Sequence, residues 1–166
     1  MSRSSSTSIC SSRSRPHIGV IGGSDCTEVV AQLAERVGAG IARRGGVLVC
    51  GGLTGVMEAA CRGAKQAGGP TIGILPGHKR EEANAHVDIA IATGLGEARN
   101  LAIIRTADRL IAIDGSHGTL SEIGFALRMG KRVVGLDTWD IRGVIRAESP
   151  EQALDLVFEG LVPGSG

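Results

Sequence analysis

An α/β fold, a single doubly wound (Rossmann-like) parallel sheet with helices on both faces, is the architecture this sequence predicts, and three observations carry it. Short apolar runs alternate with amphipathic segments along residues 17–162. The runs are apolar at successive positions, as strands covered on both faces of a parallel sheet are. Glycine loops follow them, at 22–23, 51–52, 77, 94 with 96, and 115 with 118. Their common place after each strand lines them along the carboxyl edge of the sheet, where ligands bind near the reversal of strand order.

The first strand is expected over His17–Ile21. Residues 28–43 follow as a helix, with Val30, Leu33, Val37 and Ile41 on one stripe. Val47–Cys50 is the second strand, and 55–67 the next helix, with Met57, Ala60, Cys61 and Ala64 inward. Strands at Thr71–Leu75, Val87–Ile91 and Arg109–Ile113 come next. A helix over 119–129 places Leu120, Ile123, Gly124 and Leu127 at i, i+3, i+4 and i+7. Arg132–Leu136 and a short Val144–Ala147 complete the strands. Ser149 caps the last helix, Pro150 fills its first turn, and Gln152 completes a capping box.

At 166 residues the chain fits one domain with one core. Residues 1–16, Ser-rich with three arginines and no acid, read as a disordered tail or expression remnant. An organelle transit peptide is the second reading of that stretch. Lys and Arg total 18 against 17 Asp and Glu, so no general attraction to nucleic acid or to an anionic membrane is expected. No Tyr, two Phe and one Trp leave no stacking platform for single strands. No apolar run reaches the ~18 residues of a spanning helix. The four cysteines, at 10, 26, 50 and 61, form no C-x-x-C pair, which fits a reduced, cytoplasmic setting. Cys50 and Cys61 read as small buried hydrophobes. The four histidines lack metal-ligand spacing, so no metal site is expected.

Several reaction classes are excluded by motif. Residues 19–24, GVIGGS, lack the dinucleotide glycine order, and no acid ends the second strand. GGLTGVME at 51–58 lacks the lysine of a triphosphate loop, and Ser116 in DGSHG is not in a nucleophile elbow.

RLIAIDGSHGTLSE, residues 109–122, runs from strand through glycine loop into helix, which is how a chain builds a phosphate site. Gly115 and Gly118 let backbone approach a ligand, and the helix start attracts an anion. The candidate binding residues are Gly22, Gly23, Ser24, Gly51, Gly52, Thr54, Gly55, Arg99, Asn100, Gly115, Ser116, His117, Gly118 and Thr119. Arg99 is either a phosphate ligand or a solvated surface side chain. Asn100 touches the same ligand or its own backbone. Glu122 is either a carboxylate for ribose or the closing member of a capping box Thr119-Leu120-Ser121-Glu122. Lys79 and Arg80 read as a solvated loop. Trp139 reads as an interface or core anchor ahead of a ligand platform.

The segments GGLTGVMEAACRGAKQAGG, GILPG, TGLGEARN and DGSHGTLSE, in this order, resemble the LOG and molybdenum-cofactor-carrier group of small Rossmann-like proteins over residues 17–160. Members are often labelled lysine decarboxylases, a label no residue here supports. The resemblance implies a homodimer or homotetramer and a cleft for a nucleotide-like or pterin-like phosphate ligand. Molybdenum cofactor or a nucleotide monophosphate would be that ligand, with no cofactor required. LOG enzymes release free base and ribose 5-phosphate from nucleoside 5′-monophosphates, and their signature is P-G-G-x-G-T-x-x-E. Carried onto this chain, it gives Gly115, Gly118, Thr119 and Glu122, with Arg99 from the preceding helix; Arg99 and Glu122 would be catalytic in a hydrolase. Asp114 and Ser116 replace the signature's Pro and second Gly, and Ala98-Arg99-Asn100 replaces the Arg-Lys pair. These departures, with the Leu136-Asp137-Thr138-Trp139 segment, lean toward the carrier-like branch.

Overall fold

A computed structural model describes residues 14–161. Residues 1–13 of the tail expected over 1–16, and the expected domain end at 162, lie outside the described residues. Among the described residues, one sheet holds β1 (His17–Gly22), β2 (Val47–Cys50), β3 (Thr71–Leu75), β4 (Ile89–Ala92), β5 (Arg109–Ile113), β6 (Arg132–Leu136) and β7 (Val144–Ala147). Their order is β4-β3-β2-β1-β5-β6-β7, and every adjacent pair is parallel. Strand order therefore reverses between β1 and β5.

Among the described residues, five α-helices cover the sheet: α1 (Glu28–Arg43), α2 (Val56–Gln66), α3 (Asn100–Thr106), α4 (His117–Arg128) and α5 (Pro150–Phe158). Alternation along β1 divides the core. Ile18 and Val20 pack with α1, α2 and α5, while Ile21 packs with α3 and α4. Each such fully buried aliphatic contributes about 1.5–3 kcal/mol. Helices α1 and α2 press together through glycines: a Cβ on Gly38 would overlap the Ala60 carbonyl oxygen, and one on Gly63 that of Glu35. At α1, Thr27 Oγ1 accepts from the Val30 amide at 3.3 Å; at α5, Ser149 Oγ accepts from that of Gln152 at 3.1 Å. The Gln152 side chain accepts from Glu148 N, one residue before the cap, at 2.6 Å.

Two expectations need correction. The fourth strand begins at Ile89 rather than Val87, because Asn84 builds a turn. Its carbonyl accepts from Val87 N at 3.2 Å and its Oδ1 from His86 N at 3.0 Å. The helix expected over 119–129 starts two residues earlier, with Ser116 at the cap. Thr119 and Glu122 therefore lie inside the helix, and the capping-box reading of Glu122 is wrong. Its buried face is Thr119, Glu122, Ile123 and Ala126, whereas Gly124 is exposed and Leu120 and Leu127 only half-buried.

Candidate functional site

Three glycine loops meet at the carboxyl edge on either side of the reversal. After β1, Gly22 has no room for a side chain: a Cβ there would stand 2.6 Å from Val56 and 2.7 Å from the Ile113 carbonyl. Its smallness serves the approach of α2. The Gly23 carbonyl accepts from Val56 N at 3.0 Å, and the Ser24 carbonyl accepts from Thr54 Oγ1 at 2.7 Å. The loops at 22–24 and 54–56 therefore hold one another, and the Thr54 hydroxyl is spent on that bond. Gly55, at φ +67°, lies against the Gly23 and Ser24 backbone.

After β2, Gly51 lies against Arg99. A Cβ on it would stand 2.6 Å from Nη2 of the guanidinium and 2.7 Å from the Met57 sulfur. Asn84, which the sequence did not single out, ties this loop down. Its amide donates to the Gly52 carbonyl at 2.9 Å and its Nδ2 to that of Leu53 at 2.8 Å.

After β5 the chain turns through Asp114 (φ +47°) and Gly115 (φ +108°) into α4. Ser116 makes no side-chain capping bond. The N–H groups of His117, Gly118 and Thr119 have no intrahelical acceptor, and the helix dipole adds to their pull on an anion. His117 and Gly118 are exposed, and the space beside Gly118 is open. Thr119 is buried against Gly115. The loop is braced from behind: Thr138 Oγ1 donates to the Asp114 carbonyl at 2.6 Å, and Trp139 Nε1 to that of Ser116 at 3.2 Å. Trp139, 37% exposed with its ring 5.9 Å from that of His117, braces the loop and is not a core anchor.

Between α3 and α4 lie two buried charged groups. Arg99 closes a 3-10 turn at Gly96–Arg99 and is 8% exposed, which overturns its reading as a solvated surface side chain. Its Nη1 donates to Asn100 Oδ1, and its Nε is buried without a partner. Asn100 thus orients the arginine. Glu122, 7% exposed, faces it from α4, and among the described residues no ion pair joins them. Burial pushes the Glu122 carboxyl up to about 7, against the opposing pull of Arg99. Burial likewise pulls Arg99 below the usual guanidinium range, and Glu122 leads the charges that oppose it. An unpartnered buried guanidinium nitrogen costs on the order of 1–3 kcal/mol or more, and an anion in the crevice would offset it.

Lys79 and Arg80, expected in a solvated loop, are exposed at a 3-10 turn, Arg80–Glu82. Among the described residues no helix is long and apolar enough to cross a membrane, and no three His, Cys, Asp or Glu side chains gather as a metal-ligand group.

Comparison with known proteins agrees with this fold. The family model described as the SLOG cluster4 family matches residues 15–159. A molybdenum cofactor binding protein from the phototrophic bacterium Rippkaea orientalis is 40% identical, with a TM-score of 0.83 over 88% of this chain and 97% of its own. The molybdenum cofactor carrier protein of Chlamydomonas reinhardtii is 37% identical, with a TM-score of 0.78 over 87% and 96%. An uncharacterized protein of Archaeoglobus fulgidus is 48% identical over 87% of this chain and 96% of its own. A cytokinin riboside 5′-monophosphate phosphoribohydrolase from Mycobacterium marinum is 34% identical over 74% and 70%.

Proposed function

Because the chain belongs to the SLOG cluster4 family, we propose that it binds a small phosphate-bearing ligand, nucleotide-like or pterin-like, in the crevice between β2 and β5. The observation that carries the reading is the buried Arg99, whose Nε has no partner, beside a helix start with no side-chain cap. A phosphate would take the Arg99 guanidinium and the first-turn amides of α4, with Ser116 and His117 at the rim. Those donors fit the phosphate of molybdenum cofactor, and carriage of that cofactor as cargo is the preferred form of the proposal. Similarity to the two cofactor-binding proteins supports it.

A second reading is favoured by Glu122. A carboxyl held near 7 and facing an arginine suits hydrolysis of a nucleoside monophosphate. There water adds to the ribose anomeric carbon, the base leaves with a proton, and ribose 5-phosphate remains. The mycobacterial relative supports this reading.

A homo-oligomer accompanies either form. Ile89 and Ile91 pair with Ile72 and Ile74 and extend their apolar row, uncovered, on the α3/α4 side, where Phe125 is also exposed. Among the described residues no ion pair involves α3 or α4. On the opposite layer Arg36–Glu151, Arg44–Asp155 and Arg62–Glu35 are paired.

The test is calorimetric titration with inorganic phosphate, AMP and GMP, together with mass spectrometry of small molecules released from the purified protein and an assay for free base. Binding of phosphate compounds, or release of a pterin phosphate, without base release supports the carrier. Sustained release of base and ribose 5-phosphate makes the protein the hydrolase. No binding at millimolar concentration, with nothing released, removes the crevice as a phosphate site.

A further inference from the structure

We propose that Cys50 and Cys61 form a modification site: a small oxidant, a hydroperoxide or a low-molecular-mass disulfide, closes them into an intramolecular disulfide joining β2 to α2. Both are free thiols, and their sulfurs lie 3.5 Å apart with nothing between them. Cys50 ends β2 and Cys61 lies on the inward face of α2, so the bond would close a ring around the Gly51, Gly52, Thr54 and Gly55 loop. Both sulfurs are fully buried; the Gly52 amide donates to that of Cys50 at 3.3 Å, and the Arg99 guanidinium lies against Gly51, so both act on Cys50 against its burial. The two sulfurs share a hydrogen bond, which pulls Cys50 below the ordinary thiol range and, with burial, holds Cys61 above it.

With a hydroperoxide the Cys50 thiolate attacks the peroxide oxygen, giving a sulfenic acid and water or an alcohol. The Cys61 sulfur then displaces the hydroxyl as a second water, so two thiols lose two hydrogens and the peroxide gains two electrons. With a small disulfide, Cys50 forms a mixed disulfide and Cys61 releases the second thiol. The inference is independent of any ligand, because it needs only the two sulfurs and the oxidant.

The experiment uses the full chain with Cys10→Ser and Cys26→Ser, exposed to hydrogen peroxide or oxidised glutathione, then unfolded, treated with N-ethylmaleimide and digested. Tryptic cleavage after Arg44 and Arg62 leaves both cysteines on one peptide, 45–62. The expected product is that peptide lighter by two hydrogens, without maleimide, and returned to two free thiols by dithiothreitol. A parallel chain carrying Cys61→Ser must not lose the two hydrogens. Recovery of the 45–62 peptide with two maleimides, under exposure that fully oxidises Cys26 in the wild type, would overturn the proposal and leave the pair as core neighbours.

Discussion

Glu122→Gln isolates a buried carboxyl whose titration leaves a mark on folding. The native group titrates at about 7 against an ordinary value of 4.5, so the native state holds the proton more tightly than the unfolded chain. Its contribution to stability is fully present below pH 4.5 and is lost as pH rises through about 7. A gap of about 2.5 pKa units corresponds to roughly 3 kcal/mol, since each unit is about 1.4 kcal/mol. Gln keeps the shape and cannot titrate. Urea unfolding of both proteins from pH 4.5 to 8.5 should show the variant gaining roughly 3 kcal/mol on the wild type, most of it between pH 5 and 7.5. Taking the difference cancels carboxylates that behave alike in both, such as Asp88, whose pKa is lowered chiefly through Lys65 against the cost of burial. A difference that stays constant across this range would mean that Glu122 is solvated, and the argument for a dry Arg99–Glu122 crevice would fall.

Arg99→Met should weaken phosphate binding by about 10- to 100-fold in calorimetry, the worth of a charged hydrogen bond, while the melting temperature stays level or rises because the unpartnered nitrogen is gone. Phe125→Asp places a charge on the exposed face of α4, and light scattering should report a smaller assembly than the wild type. Asp114→Pro cannot keep φ +47° or the bond from its amide to the Leu136 carbonyl, and urea melts should show a loss of about 3 kcal/mol or more. Asp114→Gly, free of that backbone restriction, should fold at wild-type stability or better.

The sheet was legible because most of its strands are apolar over consecutive positions and are punctuated by glycine. Five of them, from Val47–Cys50 to Val144–Ala147, begin and end where the apolar runs do. The shared edge of the candidate site was legible in its glycine loops, at 22–24, 51–55 and 115–119. It was not legible at Glu122. Periodicity assumes that an inward face is apolar, and the inward face of α4 carries Thr119, packed on Gly115, and Glu122, facing Arg99. Leu120, Gly124 and Leu127 imitated a core stripe rotated away from the real one. For Arg99 the sequence left a phosphate ligand and a solvated surface side chain both open, for the same reason. Sequence shows a charged residue in a polar stretch, GEARN, whereas its burial depends on α4 and the Gly51 loop, which are remote in sequence and close in space.

The departures at Asp114 and Ser116 from the hydrolase signature form one structural unit with the segment after β6. Where the signature has Pro, Asp114 takes a left-handed conformation that Pro cannot reach, and its amide donates to the Leu136 carbonyl at 3.2 Å, a bond Pro lacks. Once the chain turns that way, its next carbonyls point toward the segment after β6. Thr138 donates to that of Asp114, and Trp139 to that of Ser116. The DGS and LDTW segments therefore depend on each other: the loop's unusual entry supplies the acceptors, and the Thr-Trp pair supplies the donors. A loop braced in this way has its backbone carbonyls occupied from behind and its helix amides left in front, which suits the proposed binding of an anion and departs from the hydrolase signature at the same two positions.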